Sequence, residues 1–209
     1  MPSTPRTLLD VDCHPLSADR WQDLEMLFGP RGATGGCWCM YWRLPRAQFT
    51  AHKGAGTKKA FQHLVESGEV VGVLAYTQGR AVGWCAIAPR ERYPVLQRSR
   101  LLKRVDEVAV WSVVCFFVSK AFRGKGVTTT LLRAAVDYAR QLGASVIEGY
   151  PVEPRNPPMP AVFAWTGLAS AFRQAGFVEV LRRSETRPIM RYVVQDRCGP
   201  DLDRPDHVQ

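Results

Sequence analysis

The spacing of apolar and polar residues changes several times along this chain, and each change marks an element. Residues 6–13 (RTLLDVDC) read as a short first strand. Ser17 caps a helix over 18–28, with Trp21, Leu24, Leu27 and Phe28 along one side. A glycine-rich turn, 29–36, leads into the aromatic residues Trp38, Tyr41 and Trp42. Pro45 to Ala51 starts a short helix. Thr57 to Glu66 gives another, apolar at Ala60, Phe61, Leu64 and Val65 and stopped by Gly68. EVVGVLAYTQ and RAVGWCAIAP then form two strands joined tightly at Gln78-Gly79-Arg80, a hairpin signal. Residues 91–106 are basic and show no clear period, so a loop with a helical turn or two is expected.

The strand at 108–118 is apolar on both faces, as a central strand must be. It feeds the turn RGKGV and a helix with Leu131, Leu132, Ala135, Val136, Ala139 and Leu142 at three- and four-residue spacing, ended by Gly143. The strand ASVIEGYPV follows, then the proline-rich PRNPPMP, a helix at about 161–175 closed by Gly176, and two last strands, FVEVLRR and PIMRYVV. This order predicts one α/β domain over 1–196. Its sheet is mixed and mostly antiparallel, with helices on both faces, and 197–209 forms a disordered tail.

The turn after the central strand is the first sign of chemistry. Backbone N–H groups at a helix start, where the helix dipole is positive, favour a bound anion, and Arg123 and Lys125 add charge. The glycine spacing fits neither the GxxxxGK[ST] loop nor the GxGxxG fingerprint.

Composition narrows the field. The chain has 209 residues, 46% hydrophobic, which is enough for a core without disulfides. The sequence has neither a membrane-length apolar run nor a signal-peptide pattern, so a cytoplasmic location is expected. The six cysteines are scattered, and the one close pair, Cys37 and Cys39, has no second pair at ligand spacing, so no metal site is predicted. The formal charge of +9 favours anionic partners. Nucleic acid is one such partner, but the basic residues are dispersed and suit a multiply phosphorylated coenzyme equally well.

The stretch FFVSKAFRGKGVTTTLLRAAVDYARQLG, together with AFRQAGFVEV about 50 residues on, resembles the GNAT superfamily of acyl-CoA-dependent N-acetyltransferases. Arg123 falls on the first position of the Arg/Gln-x-x-Gly-x-Gly/Ala motif and Gly126 on its glycine, while Thr128 stands where the motif has Gly or Ala. The resemblance implies that acetyl-CoA is bound as co-substrate by Phe116, Phe117, Val118, Arg123, Gly124, Lys125, Gly126, Val127, Thr128 and Thr129. In this picture the pyrophosphate lies on the turn and the pantetheine arm runs along the strand edge near Phe116 to Val118. It further implies that strand 108–118 splays from the parallel strand 145–151 to admit the thioester, and that an amine of a small molecule or peptide is acetylated. A non-catalytic acyl-CoA-binding or interaction module and a basic nucleic-acid-binding protein are the alternatives. The sequence leaves a homodimer open.

Acyl transfer needs a neutral amine, a donor for the developing oxyanion and a route for the proton. Glu107, at the start of the central strand, and Glu148, inside an apolar strand near the splay, are the base candidates, with Asp106 third. The family's acid is a tyrosine four residues before the glycine of the Gly-Phe pair. Phe172 stands there, which leaves Tyr150 as a substitute or an unassisted thiolate. Trp38, Tyr41, Trp42 and Trp165 are candidates for the acceptor pocket.

Overall fold

The computed structural model describes residues 9–155, 160 and 163–194. The tail 197–209, residues 6–8 of the first expected strand and much of PRNPPMP lie outside the described residues. The strands are β1 (Asp12–Pro15), β2 (Gly72–Thr77), β3 (Arg80–Pro89), β4 (Trp111–Val118), β5 (Val146–Gly149), β6 (Val178–Arg182) and β7 (Pro188–Val193). The helices are α1 (Trp21–Phe28), α2 (Arg46–His52), α3 (Ala55–Glu66), α4 (Pro94–Arg98), α5 (Val127–Gln141) and α6 (Ala169–Gln174). The strands form one sheet in the order β1-β2-β3-β4-β5-β7-β6. Every neighbouring pair is antiparallel except β4 and β5, which run parallel.

The β2–β3 hairpin forms where the sequence placed it. Gln78 and Gly79 both have positive φ, 49° and 72°, the conformation a two-residue loop needs to follow strand twist. β4 lies in the interior of the sheet, and α5 packs across β2 and β3 through Val127, Leu131, Leu132, Ala135, Val136 and Ala139. The approach is close: a Cβ at Gly83 would stand 2.9 Å from Val127 and 3.0 Å from Leu131. The opposite face of the sheet carries α1, α3 and an aromatic core that includes Trp21, Phe28, Trp38, Phe61 and Trp84. Helices thus cover both faces, as the element order implied.

Several boundaries move. β1 is Asp12–Pro15 rather than 6–13, and α1 starts at Trp21 after a 3-10 turn, with the Ser17 hydroxyl accepting from Arg20 rather than capping the helix. β4 starts at Trp111 rather than at 108, so Glu107 precedes the strand and is exposed. The last helix starts at Ala169 rather than near 161, because Gly167 takes φ 86° and Leu168 pairs with Val152 in an isolated bridge. No described helix is long and apolar enough to cross a membrane.

Candidate functional site

β4 and β5 are paired over three positions only, Trp111 with Ile147, Ser112 with Glu148 and Val113 with Gly149. β5 ends there and β4 continues to Val118, so the strands part and a gap opens beside the second half of β4. On the other side, the register with β3 slips between Ala86, opposite Cys115, and Ile87, opposite Val113. Val114 is the extra residue of this bulge.

An unpaired strand edge must find hydrogen-bond partners when buried. Along this edge, three alternate residues each find a different one. The indole N–H of Trp42 donates to the Val114 carbonyl at 3.1 Å. The Phe116 N–H donates to the Trp165 carbonyl at 2.7 Å. The Arg123 Nε donates to the Val118 carbonyl at 2.9 Å. The segment bearing Trp165 is held there by Val152, whose N–H donates to the Gly167 carbonyl and whose carbonyl accepts from the Ala169 N–H, both at 2.9 Å.

The gap runs toward the RGKG turn. Gly124 and Gly126 have φ 73° and 86°, and a Cβ on either would meet nothing within 4 Å. The turn is therefore glycine-rich because of its backbone, and its outer surface is open. Helix geometry leaves the N–H groups of Val127 and Thr128 without intrahelical acceptors. The N–H groups of Thr129 and Thr130 both return to the Gly126 carbonyl, at 3.0 and 3.1 Å. Lys125 is exposed with its ammonium 5.4 Å from the Phe122 ring centre, and Arg123 is exposed beside it. Thr129 Oγ1 and Arg133 tie α5 to Gln174 of α6 at 3.3 and 2.9 Å. Open glycines, helix-start donors and two cations fit an anion such as a pyrophosphate.

Three of the four expected acceptor residues meet at the gap. Trp42 and Trp165 stack at 5.5 Å and 28°, and Tyr41 stands edge-on to both, at 5.0 and 5.4 Å. Phe49 meets Tyr41 at 5.6 Å. Trp38 lies elsewhere, in the core, against Trp21 at 5.9 Å and Phe28 at 5.6 Å. Its backbone and that of Cys39 are strained, with φ 45° and 56°. Gly32 makes room for the indole: a Cβ there would lie 2.1 Å from it. The Cys39 thiol accepts from the Trp84 indole N–H at 3.0 Å and faces the Cys115 sulfur at 3.9 Å.

The carboxylates separate sharply. Glu107 is exposed in the stretch before β4. Asp106 accepts from Arg191 Nη1 and Nη2, at 2.6 and 2.9 Å, and these bonds hold its carboxyl below the usual range. Glu148 is 1% exposed. Its Oε1 accepts from Arg90 at 3.1 Å and from the Tyr150 hydroxyl at 2.7 Å, and its Oε2 accepts from Arg191 Nε at 2.8 Å. Tyr150 also touches Arg90 and shares a 2.8 Å bond with Ser112. Burial, then the charge of Glu148, pushes its phenol well above the ordinary value. Arg90 in turn donates to the Leu102 carbonyl at 2.7 Å. Arg183 donates to the carbonyls of Leu101, Lys103 and Arg104 at 3.1, 2.7 and 2.9 Å. Three arginines, Arg90, Arg183 and Arg191, thus strap residues 101–106 over this end of the sheet. Sequence reasoning saw Arg90 and Arg183 only as members of the basic stretches 90–104 and 182–183 and gave none of the three a role, because a charge in or beside a strand reads as outward-facing.

Phe172 is fully buried. A Cβ at Gly149 would lie 2.1 Å from its ring and one at Gly167 2.8 Å, so the ring fills the notch between β5 and the Trp165 segment. Two surface hollows, one bordered by Ser67, Pro89 and Trp111 and the other by Asp12, Arg20 and Tyr76, lie away from the gap.

A family model described as Acetyltransferase (GNAT) family matches residues 38–167. No curated protein matches the chain in sequence. Among solved structures, the chain is similar to a GNAT-family acetyltransferase from Listeria monocytogenes, 12% identical, covering 89% of this chain and 96% of that one with a TM-score of 0.54. It is similar to a GNAT-family acetyltransferase from Streptococcus agalactiae, 10% identical over 88% and 96% with a TM-score of 0.53. It is also similar to the ribosomal-protein-S5-alanine acetyltransferase from Vibrio fischeri, 13% identical over 89% and 94% with a TM-score of 0.52. At these identities the likeness is one of fold.

Proposed function

The chain belongs to the acetyltransferase (GNAT) family, whose activity is transfer of an acetyl group from acetyl-CoA to an amine, and we propose that the gap beside β4 is where this chain brings the two together. The observation that carries the reading is the row of substitutes along β4. Val114, Phe116 and Val118 are closed by an indole, a loop carbonyl and a guanidinium rather than by a strand. An extended arm bearing amides can take the place of the last two as an added strand. The backbone from Lys125 to Thr129 would hold the pyrophosphate, with Arg123 and Lys125 beside it.

Acetyl-CoA supplies the activated carbonyl. The chain supplies donors, orientation and dryness. The Phe116 N–H, once released by Trp165, is a preorganised donor for a carbonyl oxygen in the gap. The acceptor amine enters from the side of Tyr41, Trp42 and Trp165. Glu148 serves as the anchor of the Arg90–Tyr150–Arg191 network rather than as the base, because both its oxygens already accept from arginine. The amine's proton passes to water on the open side, by Tyr41, and Phe172 leaves the thiolate to depart without a tyrosine's help. A thiol pKa near 8.5 permits this at neutral pH.

Calorimetry with acetyl-CoA tests the reading. Micromolar binding is expected, together with thiol release when an amine is present. Gly126→Val, which places a branched side chain at φ 86° over the open turn, should lower affinity at least tenfold. Absence of heat for the wild type at about 1 mM coenzyme, well above that range, or unchanged affinity in the variant, rejects the site.

A further inference from the structure

Arg187 stands one residue before β7, and its side chain turns toward the gap. Its Nη1 donates to the Thr166 hydroxyl at 3.1 Å, and Thr166 follows Trp165, the residue whose carbonyl holds Phe116. Burial pushes its pKa down, opposed by the nearby Tyr41 phenol. Arg187, Tyr41 and Trp165 therefore share one neighbourhood.

What distinguishes Arg187 is its lack of an acid. Arg191, four residues on in β7, has both Asp106 and Glu148. The nearby carboxylates are committed elsewhere: Glu185, two residues before Arg187, pairs with Arg155, and Glu153, whose N–H donates to the Thr186 carbonyl, pairs with Arg173 and Arg182. Among the described residues Arg187 makes no ion pair. A half-buried guanidinium with one neutral partner keeps donors available to an anion. Its fork geometry suits a carboxylate. Beside it lie Tyr41 and Trp165, edge-on to one another and backed by the buried Trp42, with Tyr41 and Phe163 exposed.

We propose that the acceptor is a small amine that also carries a carboxylate, with a planar or apolar body, and that Arg187 binds that carboxylate while the aromatic residues hold the body. This rests on the gap being the site of acetyl transfer. In such a molecule the anchored carboxylate and the stacked body leave the amine one direction to face, toward the Phe116 edge of β4. An amine without the carboxylate can stack but is not turned.

The test compares L-tryptophan, L-tryptophan amide and tryptamine as acceptors, which share the indole body and differ at the carboxylate and, through it, in amine basicity, so kcat/KM is compared per neutral amine. The wild type should favour tryptophan over either of the others in kcat/KM by about tenfold or more. A smaller preference, or equal use of the amide, overturns the proposal. Arg187→Gln should bring the ratio to within about threefold of one, and Arg187→Lys should restore part of it; these follow from losing or keeping a charge-assisted bond. A ratio unchanged in Arg187→Gln overturns the proposal, and so does lost coenzyme affinity in that variant, which would assign Arg187 to the coenzyme. Calorimetry of the three compounds on the free and the coenzyme A-loaded protein repeats the comparison without turnover. Failure of coenzyme to bind then rejects the gap as a transfer site, while the preference for the carboxylate is still read.

Discussion

The main-chain N–H of Phe116 is bonded to the carbonyl of Trp165 at 2.7 Å, across the gap that β5 leaves beside β4. A loop carbonyl thus occupies the position an added strand would take. The exchange between them sets a condition on binding: the Trp165 segment must yield as the coenzyme arm pairs with β4. On adding coenzyme A, amide hydrogen exchange should rise in 163–168 and stay slow in 116–118, since the β4 donors change partner without losing one. Equal protection of 163–168 with and without coenzyme would mean that the arm runs elsewhere.

Among the described residues Glu148 is the one buried carboxylate, and it faces two arginines, of which Arg90 is fully buried. Neutralising Glu148 leaves Arg90 charged and uncompensated in the interior. Glu148→Gln should therefore destabilise the protein by about 3–5 kcal/mol, the usual cost of removing one partner of a buried pair. Denaturant unfolding measures it. Adding Arg90→Gln to this variant should cost less than Arg90→Gln costs alone. A loss below about 1 kcal/mol for Glu148→Gln, set against the same scale, would show that the network is not what holds this end of the sheet, and would return Glu148 to consideration as a base.

Some of this was legible in the sequence because it is local. The doubly apolar run that becomes β4, the RGKG turn and the Gln78-Gly79 hairpin each announce themselves within a dozen residues. Trp38, Tyr41, Trp42 and Trp165 were grouped as aromatic candidates without any local signal that they meet; the structure brings Tyr41, Trp42 and Trp165 together and places Trp38 in the core. The arginine network was not legible. Glu148 meets Arg90 across 58 positions and Arg191 across 43, and no periodicity encodes such a pairing. Arg187 was silent for the same reason: PIMRYVV shows a strand, and the residue before it looks like a loop charge. The start of α6 moved because the pairing of Leu168 with Val152 is a long-range contact that overrides helical spacing.

Acid should weaken the protein through its arginine-paired carboxylates. Bonds from Arg191 hold Asp106 below its ordinary 3.8, and bonds from Arg173 and Arg182 hold Glu153 below 4.5. Glu179 is lowered likewise by Arg182. A carboxyl depressed in the folded state stabilises fully above its unfolded value and stops doing so as pH falls through the folded one. Thermal melting should therefore drop below about pH 4.5. Each exposed pair contributes little, but Arg182 serves two. Arg182→Gln should melt lower than the wild type at pH 7, and the gap should narrow in acid as pH falls through the depressed folded-state values and the carboxylates take up protons. Parallel curves would remove these pairs from the acid response.

Phe172 stands where the family resemblance places a tyrosine, and its surroundings say what a hydroxyl there would meet. The ring is fully buried, edge-on to Phe116 at 6.0 Å and to Phe177 at 5.0 Å. It also lies over Gly149 and Gly167, where any side chain would collide with it. Phe172 therefore works as a wedge that keeps the end of β5 and the Trp165 segment at a fixed separation. Phe172→Tyr adds an oxygen to this apolar notch, and the expected cost is about 1–3 kcal/mol from overpacking and an unpaired hydroxyl. Turnover with a good acceptor should not rise, because the group is held in the core rather than at the reacting atoms. Unfolding and kcat measured on the same preparation decide the matter. A variant that keeps wild-type stability and gains turnover would place the hydroxyl in the gap, and the thiolate would then leave with a tyrosine's proton after all.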